Sequence, residues 1–309
     1  MRLVEANPDN ILLAAAAIRR GELVGMPTET VYGVACDALN PVGVQRVFAA
    51  KGRPADNPLI VHLATLDELP QVARDWPALA IELAHRFWPG PLTLVLYKAD
   101  RVPEATTGGL ETVAVRMPNH PVAAALIRAS KTPIAAPSAN RFMALSATRA
   151  EDLDPALAGH LTMVLDGGPC PVGLESTVLD LTGDRPRILR PGGVPRGAIQ
   201  AAMGEPLAEA PPNAGDRRSP GLYPRHYAPR TAVRLTDRLG DAPGIGFGPP
   251  RNGRQIRLPR DAQAYGAMLY AALHRLDGLG VEQANIERPP AGPDWEAIHD
   301  RLNRMSGGA

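Results

Sequence analysis

Lys51 and Arg53 stand two residues apart in the string KGRPADNPLIVH, residues 51–62, just past an expected helix end. Two cations this close repel each other unless an anion lies between them. A polyphosphate or a carboxylate is the natural partner, and arginine grips either in bidentate fashion. A helix C-terminus also favours positive charge, so the pair has a purely structural explanation as well. Asn57 follows, and His62 ends the next strand, where a hydrogen-bonded structural histidine is the commoner case. Arg116 closes the otherwise apolar run TVAVRMP, residues 112–118, which Thr112 opens. An arginine at that position must reach a carboxylate, a phosphate or water, because a buried charge left unpaired is costly. It is the best single candidate for gripping a carboxylate.

Other strings carry weaker versions of the same signal. PTETVYG, residues 27–33, sets Thr28, Glu29 and Thr30 at a strand end. Open α/β sheets bind ligands there, although a turn with a capping box uses the same residue types. PIAAPSAN, residues 133–140, runs a short strand into a turn that exposes Ser138 and Asn140, with Ser146 close behind. Turn chemistry alone also accounts for those residues. GLESTV (173–178) and ILRPGG (188–193) bring Ser176 and Arg190 to strand ends beside a glycine turn. The amides of such a turn can approach an anion, or simply close the turn. FWPGPLTLVL, residues 87–96, reads as core.

Several chemistries are excluded by what is missing. The chain holds no GxxxxGK[ST], HExxH or GxSxG, and no GxGxxG following a strand. Cys36 and Cys170 lie far apart and outside any CxxC pattern, so neither a disulfide framework nor a zinc site is expected, and no protein-held metal. The longest apolar run, residues 11–18, is too short to span a bilayer. No signal-peptide pattern precedes it. These features predict a cytoplasmic protein without membrane association.

The elements that must position these residues can be read from pattern. With 45% hydrophobic and 21% charged residues, the composition is that of a globular chain with a real core. Its 309 residues suggest about two domains. A first helix is expected from a cap at Asp9 or Asn10 to Gly21, and a second opens at Asn40-Pro41 with Gly52 just past its end. Strands are expected at 22–26, 59–63, 92–97, 112–117, 133–136, 162–165 and 177–181, with helices at 77–87 and 121–129. The alternation predicts an α/β fold with a mixed, largely covered sheet and flanking helices. Beyond Met203 it breaks. Residues 204–230 hold six prolines and read as a semi-rigid linker. Strands at 231–235, 244–247 and 255–258 and helices at 261–276 and 294–305 then predict a small α/β, Rossmann-like unit. The expected domains are therefore 1–203, 204–230 and 231–309.

Thirty arginines accompany three lysines, a bias most simply ascribed to codon usage in a GC-rich genome. It makes Lys51 conspicuous. From Arg217 onward there are 14 arginines and 9 acidic residues, a charge of +5, against −4 for the rest. Such a charge is either a solvated surface or a contact with phosphates.

Taken in order, these strings resemble the YrdC family of threonylcarbamoyl-AMP synthases, from about Asp9 to Pro195. SPGLYPRHYAP, residues 219–229, resembles the linker of the two-domain members, and IHDRLNRM, residues 298–305, is similar to the end of their C-terminal domain. The resemblance implies an open, twisted sheet around a positively charged cavity. It implies formation of L-threonylcarbamoyladenylate and pyrophosphate from L-threonine, bicarbonate or CO2, and ATP, with Mg²⁺ accompanying the nucleotide. A partner transferase would then move the threonylcarbamoyl group onto adenosine 37 of tRNA, leaving any tRNA contact indirect. Motif matching assigns Lys51 and Arg53 to catalysis, and Arg53, Asn57, Thr112, Ser138, Asn140, Ser146, Arg190 and Tyr227 to ATP. It assigns Thr30, His62, Arg116 and Ser176 to L-threonine.

There are departures. Phe142 and Met143 stand where the family has Ser-Gly, Ala136 where some members place a hydroxyl, and the C-terminal domain looks short. The implied chemistry needs no side-chain nucleophile, so positioning and charge neutralisation would supply most of the catalysis. A carbamate and a mixed anhydride both need water excluded, and the proline-stiffened linker would serve as a lid. The linker, more than the second domain, is expected to be needed for turnover. Two other functions compete. An RNA-binding or ribosome-assembly factor would use the positive charge, but 4% aromatics leave few stacking platforms. A carbamoyl-transfer enzyme related to hydrogenase-maturation factors would share the Lys-x-Arg and Ser-x-Asn pattern, but those proteins add zinc-finger modules.

Overall fold

The computed structural model describes residues 2–208 and 226–307. In chain order the first part holds β1 (Leu3–Glu5), α1 (Pro8–Arg19), β2 (Val24–Met26), β3 (Gly33–Asp37), α2 (Pro41–Lys51), β4 (Ile60–His62), β5 (Ala73–Arg74) and α3 (Ala78–Phe87). It continues with β6 (Leu92–Lys98), α4 (Glu104–Thr107), β7 (Thr112–Arg116), α5 (Pro121–Ser130), β8 (Ile134–Ala135) and α6 (Pro155–Ala158). β9 (Met163–Asp166), β10 (Thr177–Asp180), β11 (Arg187–Arg190) and α7 (Arg196–Met203) complete it.

Local signals explain the helix ends. Asn40 Oδ1 accepts from the amides of Val42 and Gly43, Pro41 occupies the first turn, and Gly52 closes α2 at φ 60°, a left-handed position that suits glycine. The cap of α1 is not Asp9 or Asn10 but Asn7, whose Oδ1 accepts from Asn10 N at 2.9 Å. Pro8 can then take the first helical position, where its missing N–H leaves nothing unsatisfied.

The strands form one open mixed sheet in the order β1-β9-β2-β3-β8-β4-β7-β6-β10-β11, with β5 paired on β6. Its core lies on two faces. Leu59, Val61, Leu94, Leu96, Val113 and Val115 pack with α2, α3 and α7 residues such as Val47, Leu83 and Ile199. Ala14, Ile18, Leu126 and Ile127 of α1 and α5 cover β2, β8 and β9 from another side. β1, β3, β5 and β11's full extent were not among the expected strands. β1 and β5 are two or three residues long, and β3, though buried, sits between Gly33 and Asp37, so long-range pairing rather than local pattern makes them strands.

The second part holds β12 (Ala232–Thr236), β13 (Gly244–Gly246), β14 (Gln255–Arg257), α8 (Ala262–Gly278), β15 (Gln283–Glu287) and α9 (Glu296–Met305). Its strands form a parallel sheet ordered β12-β15-β13-β14. β15 escapes a sequence reading because only Ala284 and Ile286 of its five residues point inward. Most of the expected linker, residues 209–225, lies outside the described residues. Tyr227, beyond it, joins Val31, Leu145 and Leu174 of the first part in one apolar cluster with Tyr270, Leu273, Trp295 and Ile298 of the second. Arg196 and Glu296 add an ion pair at 2.7 Å across the same junction. Among the described residues no helix is long and apolar enough to cross a membrane.

Candidate active site

Strand register builds the site. β4 and β7 run parallel with Ile60 opposite Ala114 and His62 opposite Arg116. β6 is antiparallel to β7 and places Val95 opposite Ala114. β10 places Val178 beside Thr93 of β6. Side chains on one sheet face recur every second residue, so Ile60, Ala114, Val95 and Val178 form an apolar floor, a cluster separate from the main core. Polar groups from the same face stand at its edge: His62, Arg116, Thr93 and Ser176.

Above this floor lies a narrow cavity. It is lined by Thr30, Arg53, His62, Arg116, Ala136, Ser138, Glu175, Ser176, Arg190, His226 and Tyr227, among others. Arg116 Nη1 donates to Thr30 Oγ1 at 2.9 Å, and Nη2 lies 2.6 Å from Glu29 Oε2 in an ion pair. Both partners are almost fully buried. Burial opposes the charge on Glu29, yet Arg116 and backbone amides hold its carboxyl below the ordinary range. Ser176 Oγ lies 2.7 Å from Thr93 Oγ1 and accepts from Arg190 Nη2 at 3.2 Å.

The opposite end is basic too. Arg53 donates through Nε to Asn57 O at 3.2 Å and through Nη2 to Asn57 Oδ1 at 2.5 Å and Pro58 O at 2.8 Å. Thr112 begins the strand that Arg116 ends, so by parallel register it is level with Pro58. Thr112, Asn57, Asn140 and Ser146 are buried behind the lining rather than in it. Lys51, assigned to catalysis by the resemblance, is buried and is not among the residues lining this cavity. Its ammonium donates to the main-chain carbonyls of Ser138 and Asn140, underneath the turn. Ser138 Oγ in turn donates to Asn140 Oδ1 at 2.5 Å. Lys51 thus holds the turn from behind, and Arg53 lines the cavity.

With this geometry in view, the comparisons with known proteins are decisive. Residues 16–192 match the Sua5/YciO/YrdC family model, described as telomere recombination. Residues 194–307 match the model of the threonylcarbamoyl-AMP synthase C-terminal domain. The threonylcarbamoyl-AMP synthase of Pyrococcus abyssi is 49% identical over 96% of this chain and 94% of its own. The chain belongs to the YrdC family of threonylcarbamoyl-AMP synthases. The Bacillus subtilis synthase is 44% identical over 76% of this chain and 68% of its own. The crystal structure of P. abyssi Sua5 complexed with L-threonine superimposes with a TM-score of 0.88 at 39% identity, covering 97% of this chain and 95% of that one.

In this family member the Phe142-Met143 departure keeps a glycine-like backbone. Met143 sits at φ 69°, the left-handed region that favours glycine. The loop is pinned against that strain on both sides. Phe142 N donates to Lys51 O at 3.0 Å, and Met143 O accepts from Ala228 N at 2.9 Å. Ala136 lines the cavity with a methyl group where a hydroxyl was a possibility.

Four site residues were inside the quoted strings without a role. Glu29 backs Arg116, Glu175 and His226 line the cavity, and Arg301 reaches Glu175 at 2.8 Å from the second domain.

His62 and His226 make acid stability a test of this burial. Burial, with nearby cations adding to it, lowers each imidazole to about 3. Burial also lowers His120. The unfolded chain binds these protons near pH 6.5, the folded one not until about pH 3. The stabilisation is therefore complete above pH 6.5 and lost as pH falls toward 3. Each histidine contributes a slope of up to about 1.4 kcal/mol per pH unit. Thermal melts between pH 7 and 5 should show Tm falling, and His62→Gln should flatten the curve. A level Tm across that range contradicts the assignment.

Proposed function

We propose that this chain condenses L-threonine, bicarbonate or CO2, and ATP into L-threonylcarbamoyladenylate and pyrophosphate. One observation carries the reading. A single cavity has two anion-gripping ends along one strand: Arg116 with Thr30 at the end of β7, and Arg53 beside Pro58 at its start. Four residues of strand separate them by about 13 Å, a span that suits an amino acid carboxylate at one end and a nucleotide phosphate at the other.

Arg116 would take the threonine carboxylate, oriented by Glu29 and Thr30. Neutral His62 and the hydroxyls of Thr30 and Ser176 would read the remaining polar atoms of the amino acid. The threonine ammonium loses one proton to solvent, the free amine adds to CO2, and the resulting zwitterion loses a second proton to give the carbamate. A carbamate oxygen then forms a bond to the α-phosphorus while the bond to the pyrophosphate oxygen breaks. Arg53 and Arg190 would offset the charge that builds on the phosphates. Ser138 on the lining, and Asn57, Thr112, Asn140 and Ser146 behind it, would shape the ATP subsite. Tyr227, fully buried against the cavity at φ 59°, would close over the nucleotide.

Among the described residues no group of three acidic, histidine or cysteine side chains could hold a metal. Mg²⁺ would enter as the metal–nucleotide complex, as part of the substrate. The product would pass to a transferase that acts on tRNA, with this chain working in the cytoplasm, in keeping with its two buried free cysteines. The test is pyrophosphate release with ATP, L-threonine and bicarbonate, leaving out each in turn. Release should need all three. Release indifferent to threonine refutes the reading.

A further inference from the structure

Glu175 lies where the two parts of the chain meet, and both of its oxygens are engaged. Oε1 accepts from Ser146 Oγ at 2.7 Å. Oε2 accepts from Tyr270 OH at 3.0 Å and from Arg301 Nε at 2.8 Å. Tyr270 stands on α8 and Arg301 on α9, so both donors belong to the second domain. Arg301 is fully buried. Its Nη2 donates to Pro191 O at 3.0 Å, one residue past Arg190, and its guanidinium carbon lies 4.7 Å from the Tyr227 ring centroid. Tyr227 also stacks on Tyr270, with centroids 6.1 Å apart. Burial opposes the charge on Glu175, but Arg301, Arg190 and Ser146 outweigh it and keep the carboxyl at about 2.

The contacts are selective. Arg301 and Tyr270 touch Glu175, the Pro191 carbonyl and the Tyr227 ring, all next to groups assigned above to ATP. Arg301 also pairs with its neighbour Asp300 at 2.6 Å, but neither Arg301 nor Tyr270 touches Arg116, which Glu29 holds, or Thr30, which Arg116 holds, at the other end of the cavity. Ser176, although adjacent to Glu175, has its hydroxyl fixed by Thr93 and Arg190.

We propose that Arg301 and Tyr270 are positioning residues through which the second domain sets the ATP subsite, with Glu175 as the relay to Ser146. The second domain is then a working part of the site, alongside the linker. The inference rests on the function proposed above, and the two can fail separately. Threonine-dependent pyrophosphate release by the unaltered full chain tests the function. The ratio of the two KM values in variants tests the relay.

Tyr270→Phe removes one hydroxyl from a filled space and should raise the KM for ATP about fivefold, the scale of one ordinary hydrogen bond, since Arg301 still holds Glu175. Arg301→Lys should raise it by more than tenfold, because a lysine cannot reproduce the forked contacts to Glu175 and Pro191. The KM for L-threonine should move less than about twofold in both, since Arg116 keeps its own supports. In a Glu175→Gln background, Tyr270→Phe should add little, as expected for residues acting through one group. Equal rises in both KM values, or unchanged kinetics in a folded Tyr270→Phe variant, overturn the relay. Because Tyr270→Phe is nearly isosteric, it decides the matter even if Arg301→Lys does not fold.

Discussion

Arg116→Ala should raise the KM for L-threonine by about 100-fold or more, while the KM for ATP stays within about threefold. The reason lies in what surrounds the guanidinium. Glu29 Oε2 is 2.6 Å from Nη2, Thr30 Oγ1 accepts from Nη1 at 2.9 Å, and Gly90 O accepts from Nε at 3.3 Å. Arg116 is therefore fixed in orientation before any substrate arrives, and the proposed carboxylate meets a group that needs no further ordering. Removing it does more than delete a cation. The Glu29 carboxylate, almost fully buried, loses its partner and turns that end of the cavity from anion-binding to anion-repelling. Breaking one side of such a pair typically costs about 3–5 kcal/mol, so a loss of stability accompanies the loss of binding. The two effects separate in Arg116→Ala/Glu29→Gln. Neutralising Glu29 should restore most of the stability, read as Tm, and leave threonine binding defective. Equal weakening of both substrates in the single variant would move Arg116 out of the threonine subsite.

Arg116 also shows how much of the site could be read from sequence. An arginine closing an apolar strand must reach a carboxylate, a phosphate or water, and strand register then sets it opposite His62. Lys51 and Arg53 stood out for their spacing, but spacing could not say which one faces the cavity. That depends on how residues 138–140 fold back over the helix end, a contact 87 residues distant in the chain. Glu29 and Glu175 were in view as letters, yet their partners come from β7 and α9, and no local pattern links them. The fold divides the same way. α2 is written in its own ends, through Asn40, Pro41 and Gly52. β15 and β1 are strands because neighbours pair with them, as β12 and β13 do with QANIE and β9 with LVE. The Met143 position is a further case. Its backbone conformation is set by tethers to Lys51 and Ala228 rather than by its own residue type.

Lys51→Met should reduce turnover by about 100-fold or more and also lower Tm by several degrees, and it is the pairing of the two losses that identifies the role of the residue. The Lys51 ammonium is buried, with burial and then the neighbouring Arg53 lowering its pKa, and it donates to the carbonyls of Ser138 and Asn140. A methionine fills the same space but takes the donor from the Asn140 carbonyl and one of two donors from the Ser138 carbonyl, which keeps Asn140 N at 3.0 Å. Each such loss costs about 1–3 kcal/mol, enough for the turn to rearrange. Asn140 would move with it: apart from Lys51, its bonds run to Ser138 and, through Nδ2, to Arg141 O at 2.9 Å and Ala144 O at 2.6 Å, all within the same loop, which Ala139 N ties to Tyr32 O at 2.7 Å. The expected kinetic signature is a higher KM for ATP together with a lower kcat. Lys51→Gln, which keeps an N–H donor on a shorter stem, should recover part of the Tm. A lysine acting directly on phosphate predicts the opposite pattern: lost turnover with Tm unchanged, and no difference in Tm between the Met and Gln variants. Melting curves of the two proteins, read beside their ATP kinetics, distinguish a scaffold under the Ser138–Asn140 turn from a cation at the reacting phosphate.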